Sequence, residues 1–166
     1  MFLAHSFAFL NPGDLSDGEI LLCLHETIPP IGVRAPSYRF HIRRAEDRAK
    51  AGRIELRVAN TSDILLYAGH IGYHVDTAFR GRHYAARACR LLYDLARRHG
   101  LREIWITCDP DNLASRRTCE LAGASFVSIV AVPEYHPFYK AGSHAKCRFR
   151  LDLNSMPVSP APAVNH

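Results

Sequence analysis

Long apolar runs are missing from this chain of 166 residues. None approaches the roughly 18 residues a membrane-crossing helix needs, which excludes an integral membrane protein of the helical kind. No CxxC pair occurs. The five cysteines, Cys23, Cys89, Cys108, Cys119 and Cys147, are odd in number and widely spaced. That pattern argues for free thiols in a reducing compartment and against a disulfide frame or a zinc site. There is no internal repeat, no long basic block and no aromatic-basic recognition signature, so nucleic acid is not expected as a partner. The opening MFLAHSFAFL lacks the charged n-region and small-residue cleavage site of a signal peptide. It reads as a short strand, and the expected compartment is the cytoplasm.

What the chain does have is ordinary core material. Hydrophobic residues make up 48% and charged residues 22%. This supports one domain with a sizeable core and excludes global disorder. Lys and Arg total 21 against 16 acidic residues, a formal +5 carried mostly by Arg. Such a balance fits an anionic ligand, a nucleotide or a phosphate. The single domain is expected over residues 1–153. The Pro-rich segment 154–166 is expected to be a disordered tail.

The N-terminal half reads as an antiparallel meander. A turn cluster at Asn11–Gly18 precedes a strand over Ile20–His25, expected to be buried on both faces and ended by Pro29-Pro30. Tyr38–Arg43 and Arg53–Val58 alternate with period 2, joined by a hairpin-like connection over Arg44–Gly52. After a turn at Asn60–Asp63, Leu65–Asp76 reads as one long strand. The pattern changes at Arg80-Gly81. Ala88, Cys89, Leu92, Leu95 and Ala96 recur at helical spacing until His99-Gly100. A buried strand follows at Glu103–Cys108, then a turn and cap cluster at Asp109–Asn112 and a helix to about Ala122-Gly123. Strands over Ser125–Val132 and Lys146–Leu153 flank an aromatic loop with Tyr135, His136, Phe138 and Tyr139. The class is α/β (α+β): a mixed, mostly antiparallel central sheet with helices packed on it, and at least one parallel pair from the helical crossovers.

Ile71–Leu92 carries the chemistry. A strand runs into an Arg-Gly turn that opens an amphipathic helix. Backbone N–H groups of the turn and of the helix start converge there, a ready place for phosphate. Arg80 and Arg82 add charge suited to phosphate oxygens. Gly81 relieves crowding, and Ala85 lets a bulky anion approach. The spacing is neither that of a Walker loop nor that of a dinucleotide fingerprint.

These residues resemble the GNAT N-acetyltransferases, whose signature is a strand, then R/Q-x-x-G-x-G/A, then a helix. Arg80-Gly81-Arg82-His83-Tyr84-Ala85 stands in that place, after Tyr73-His74-Val75. Asn112-Leu113-Ala114-Ser115 with Gly123 and Phe126 is similar to the family's second block. The likeness is closest to a bacterial subgroup with RGHHYA-like loops and an ASRKTCE-like helix, here Ala114–Glu120, and spans most of residues 15–153. It implies acetyl-CoA as cosubstrate and no metal. It implies a small-molecule or peptide amine as acceptor, attacking the thioester directly, with no membrane partner and the homodimer left open. The alternative is a non-catalytic acyl-CoA-binding or regulatory domain. The resemblance further implies that Arg80, Gly81, Arg82, His83, Tyr84 and Ala85 hold the pyrophosphate. Backbone groups around Tyr73 and Val75 would hold the pantetheine arm, and Asn112 and Ser115 would contact the cofactor. His83 stands where the family usually has Gly. The usual pair of early helices, which often line the acceptor site, cannot be read in residues 1–52.

Two catalytic candidates emerge. His74, a histidine beside the expected thioester, is a candidate general base, with a plain sheet-face histidine as the alternative. Cys119 falls where many members carry a Tyr that protonates the leaving thiolate. Its alternative is a buried helix-face cysteine. His70 and His74 are read as sharing one sheet face with Gly72, without further ligands for a metal. Asn112 is equally well read as only a helix cap.

Overall fold

The computed structural model describes residues 6–158. Five strands form one antiparallel sheet in chain order: β1 (Leu15–Ser16), β2 (Ile20–Ile28), β3 (Ser37–Arg44), β4 (Lys50–Arg57) and β5 (Ile71–Val75). A second sheet has the order β6-β8-β7, from β6 (Glu103–Cys108), β7 (Ser125–Ala131) and β8 (Ala145–Asp152). Helix α1 (Tyr84–Arg98) links β5 to β6, and α2 (Leu113–Leu121) links β6 to β7. A short turn of helix, α3 (Pro137–Lys140), interrupts the aromatic loop.

The period-2 residues of β3 and β4 place Tyr38, Phe40, Ile42, Ile54 and Leu56 on one buried face. Helix α1 covers that face with Ala88, Cys89, Leu92, Leu95 and Ala96, each at or below 1% exposure. Each buried Leu contributes roughly 1.5–3 kcal/mol. Small residues between the leucines let the helix axis approach the sheet. Gly100, at φ 81°, takes the left-handed conformation just past the helix end, as expected for a C-terminal stop.

The structure corrects several expectations. β2 is buried on one face only: Ile20 and Leu22 enter the core, while Leu24 and His25 are exposed beside a bulge. The segment Leu65–Asp76 is not one strand. Ile64–Ala68 forms a π-helical turn, and the strand starts at Ile71. A short apolar run does not distinguish a helical turn from a strand, and the break comes from a tertiary contact. Gly69, at φ 71°, passes so close to β6 that a Cβ would lie 2.9 Å from the Trp105 carbonyl oxygen.

Every ladder is antiparallel. The expected parallel pair between β5 and β6 does not zip up; the two sheets diverge there. At the apex of the split, the His70 N–H donates to the Trp105 carbonyl at 2.7 Å. Residues 6–10 form no strand, although Phe7 and Phe9 pack on the core. Residues 1–5 of that expected strand lie outside the described residues. The expected tail begins later than residue 154. Leu153–Ser155 form a 3-10 turn and Met156 packs against the core, while 159–166 lie outside the described residues.

Candidate active site

Beyond β5 the chain makes a 3-10 turn, Thr77–Phe79, and reaches Arg80. Gly81 and His83 then both adopt positive φ, 83° and 59°. Left-handed residues interleaved in a turn are the kind of backbone that gathers N–H groups into an anion-binding concavity. Among the described residues, no side chain caps the start of α1 and no acidic residue lies in its first turn. Four N–H groups at a helix start need partners. An uncapped 15-residue helix opening at a cavity fits an anion with several acceptor oxygens. His83 holds the left-handed conformation without being Gly, at a cost of about 1–2 kcal/mol.

That cavity measures about 450 Å³. It is walled by the end of β5, the 79–85 turn and the first turns of α2. Of the residues expected at the cofactor, Tyr73, Val75, Arg80, Gly81, His83, Tyr84, Ala85, Asn112 and Ser115 line it, as does His74. Arg82 does not; it is exposed and not part of the wall. The Arg80 Nε donates to the Val75 carbonyl at 3.0 Å, so its guanidinium lies along the strand end. Arg117 of α2, which sequence reasoning did not single out, also lines the wall. Its only sequence signal is its position five residues after the Asn112 cap.

Asn112 is a genuine cap: its Oδ1 accepts the Ser115 N–H at 3.0 Å. It is also a wall residue of the cavity. The Tyr73 hydroxyl lies 2.6 Å from Ser115 Oγ and 4.0 Å from Cys119 Sγ. Burial pushes the Tyr73 phenol far above its usual range, with the neighbouring thiols adding to the shift, and it stays protonated. Cys119 is fully buried and does not reach the cavity wall. The hydrogen bond with Cys108, together with burial, pushes its thiol well up. Tyr73 thus lines the cavity, and Cys119, expected there from its place in the motif, does not.

His74 is about half exposed, with Nε2 3.6 Å from Asp76 Oδ1. His70 lies just before β5 rather than within it. It is fully buried, and Nδ1 accepts the Trp105 N–H at 2.9 Å, so Nε2–H donates to Asn60 Oδ1 at 2.9 Å. Among the described residues there is no group of three or more His, Cys, Asp or Glu arranged to hold a metal ion.

A second cavity of about 280 Å³ opens between the diverging sheets. Tyr73, Asn112 and Ser115 line both cavities. The remaining wall includes Arg57, Asp109, Phe138 and Lys146. Asp109 accepts from Lys146 Nζ at 2.7 Å and from Ser143 Oγ at 2.5 Å. The hydrogen bonds and the ammonium charge hold its carboxyl below the usual range despite partial burial. Of the aromatic loop, Phe138 reaches this cavity; Tyr135 is exposed, His136 bonds Asp63, and Tyr139 stacks on His144.

The chain matches the family model of the acetyltransferase (GNAT) domain over residues 14–125. It belongs to that family. No curated protein matches it significantly. Among solved structures it is similar to RimL, a ribosomal L7/L12 alpha-N-protein acetyltransferase in complex with coenzyme A, with 20% identity and a TM-score of 0.56. That match covers 72% of this chain and 64% of the other. It is also similar to Mycobacterium smegmatis RimJ in complex with CoA-disulfide, with 19% identity and a TM-score of 0.57, covering 74% and 56%. A third similar structure is the microcin C7 self-immunity acetyltransferase MccE with acetyl-CoA and AMP, with 18% identity and a TM-score of 0.54, covering 70% and 61%. The chain thus spans less than two thirds of each of these proteins. At these identities the likeness establishes the fold.

Proposed function

We propose that this chain is an N-acetyltransferase that moves an acetyl group from acetyl-CoA to a primary amine on a small molecule or a peptide. The observation that carries the reading is the uncapped start of α1 at Gly81–Ala85, opening on a cavity that meets a second one at Tyr73 and Ser115. The similar proteins bound to CoA or acetyl-CoA support the choice of donor. In this reading the turn and α1 N–H groups hold the pyrophosphate, with Arg80 and Arg117 beside them. The thioester end reaches Tyr73, and the amine arrives from the second cavity.

The chemistry needs little beyond orientation. The amine nitrogen attacks the thioester carbonyl carbon; the C–N bond forms and the C–S bond breaks. The amine proton passes to water or to His74, and the leaving thiolate takes a proton from the Tyr73 hydroxyl. Ser115 orients that hydroxyl and relays its replacement. Exposed β5 backbone polarises the carbonyl as charge develops on its oxygen. The test is CoA release over a panel of amines and peptides, with amine-free hydrolysis as control and acetyl-CoA binding followed by calorimetry. Binding without acceptor-dependent release from any amine would leave the non-catalytic alternative standing.

A further inference from the structure

The face of the five-stranded sheet opposite α1 is polar and uncovered among the described residues. The segment joining β2 to β3, residues 29–36, contains no helix that could pack on it. Cross-strand register puts His41 opposite Arg53 and Arg53 opposite His74, one continuous row across β3, β4 and β5. In the next row Arg43 lies opposite Lys50. Like charges directly opposite each other destabilise a sheet. Arg43 and Lys50 are such a pair, and folding gives no reward for placing them there.

At the end of the first row Asp76 Oδ1 lies 3.6 Å from His74 Nε2, and the other carboxylates of this face are engaged by other arginines. Glu26 and Glu55 are engaged by Arg39 at 2.8 and 3.8 Å, and Glu55 also by Arg57 at 3.3 Å. Arg43, Lys50 and Arg53 have no ion-pair partner among the described residues. His25 stacks on His41 with centroids 4.4 Å apart. Burial, Lys50, His25 and Arg43 together hold the His41 ring below its ordinary pKa, in that order of weight. The fixed positive charge of the patch is thus that of Arg43, Lys50 and Arg53, with His41 uncharged beside them.

It also leads to the candidate site. Arg57 belongs to this face and lines the second cavity, its guanidinium lying across Gly72. His74 ends the charged row and lines the first cavity.

We propose that this sheet face docks an acidic polypeptide segment and so delivers that polypeptide's amine into the second cavity. The inference rests on the acetyltransferase reading for the fate of the amine, and on charge complementarity for the docking. A polypeptide is favoured over nucleic acid because the proposed transfer needs an aliphatic amine, from an N-terminus or a lysine.

The test uses the full chain and a short fluorescent peptide rich in Glu and Asp, with a free N-terminus. Anisotropy should show binding that weakens roughly tenfold or more from low to high salt, because exposed pairs are screened. Lys50→Glu with Arg53→Glu should weaken it by roughly tenfold or more, while leaving acetyl-CoA affinity unchanged and thermal stability unchanged or raised, since Lys50→Glu turns the like-charge pair with Arg43 into an opposite-charge one. Lys50→Gln with Arg53→Gln should have an intermediate effect and guards against a folding defect. In acetylation assays the acidic peptide should have a lower KM than a neutral peptide of the same N-terminal residues, and the double charge reversal should erase that preference without changing kcat. No binding at low salt, or binding indifferent to both double variants, overturns the docking surface. Tighter, variant-sensitive binding of a single-stranded oligonucleotide overturns the polypeptide assignment. Variant-sensitive self-association of the chain with no peptide binding assigns the face to a second copy and also overturns it. Peptide binding without acetylation, while acetyl-CoA binds, keeps the docking surface and rejects the transfer reading.

Discussion

His70 Nδ1 accepts the backbone N–H of Trp105 at 2.9 Å, so an imidazole supplies the bond that the diverging β5 and β6 cannot make between their backbones. The ring is thereby fixed as the tautomer that carries its proton on Nε2, facing Asn60. A second proton would sit on Nδ1 and confront the Trp105 N–H. Burial, the dominant cause, lowers the His70 pKa from 6.5 to about 4. The folded chain therefore resists a proton that the unfolded chain accepts. The sign follows: stability is unaffected above about pH 7 and falls as pH drops from 6.5 toward 4. The loss approaches on the order of 3 kcal/mol. Urea unfolding at successive pH values should show this slope, and His70→Asn should flatten it while costing about 1–3 kcal/mol at neutral pH.

Tyr73→Phe removes the hydroxyl and leaves the ring packed. Acetyl-CoA affinity should hold, and turnover should fall about tenfold to a hundredfold, the lower end of acid-base effects because a thiolate leaves readily. Cys119→Ala should lower stability by about 1–2 kcal/mol, as a buried truncation, with turnover within a few-fold of wild type. Steady-state kinetics on one accepted amine, with thermal melts of both variants, separates the two roles. A Cys119→Ala enzyme that melts normally but loses turnover would return the acid role to the thiol.

Arg80 and Arg82 should not be equivalent. Arg80 lines the cavity and Arg82 does not. Losing a charge-assisted contact costs about 1.5–3 kcal/mol. Arg80→Ala should thus weaken CoA binding roughly ten- to a hundredfold, and Arg82→Ala by less than about threefold. Arg117→Ala, on the opposite wall, should fall nearer Arg80. Calorimetry on the three variants checks the order.

His83→Gly should stabilise the fold. The left-handed φ of 59° at this position disfavours any residue with a Cβ, and glycine removes a penalty of about 1–2 kcal/mol, less its own backbone entropy. The expected net gain is up to about 1 kcal/mol, read as a rise of a few degrees in melting temperature. CoA binding should persist, because the proposed pyrophosphate contacts are made by the turn's N–H groups and glycine keeps them.

The turn at Arg80–Ala85, helix α1 and the Asn112 cap were legible in the sequence because their determinants are local. Glycine and helix-start chemistry act over a few residues, and the α1 stripe repeats at fixed spacing. The core strands were legible for the same reason. The sheet split was not, because it depends on Gly69 approaching Trp105 across 36 positions and on His70 replacing a backbone partner. The exclusion of Cys119 and Arg82 from the cavity was equally hidden. Both match the motif by position, yet side-chain access is settled by what packs beside them, here Tyr73 from a distant strand. The cationic rows across β3, β4 and β5 exist only in register. Sequence by itself determined most of the elements and the Arg-Gly turn that opens α1; tertiary pairing decided which side chains meet at the gap, since contacts between distant segments leave no periodic trace in either one.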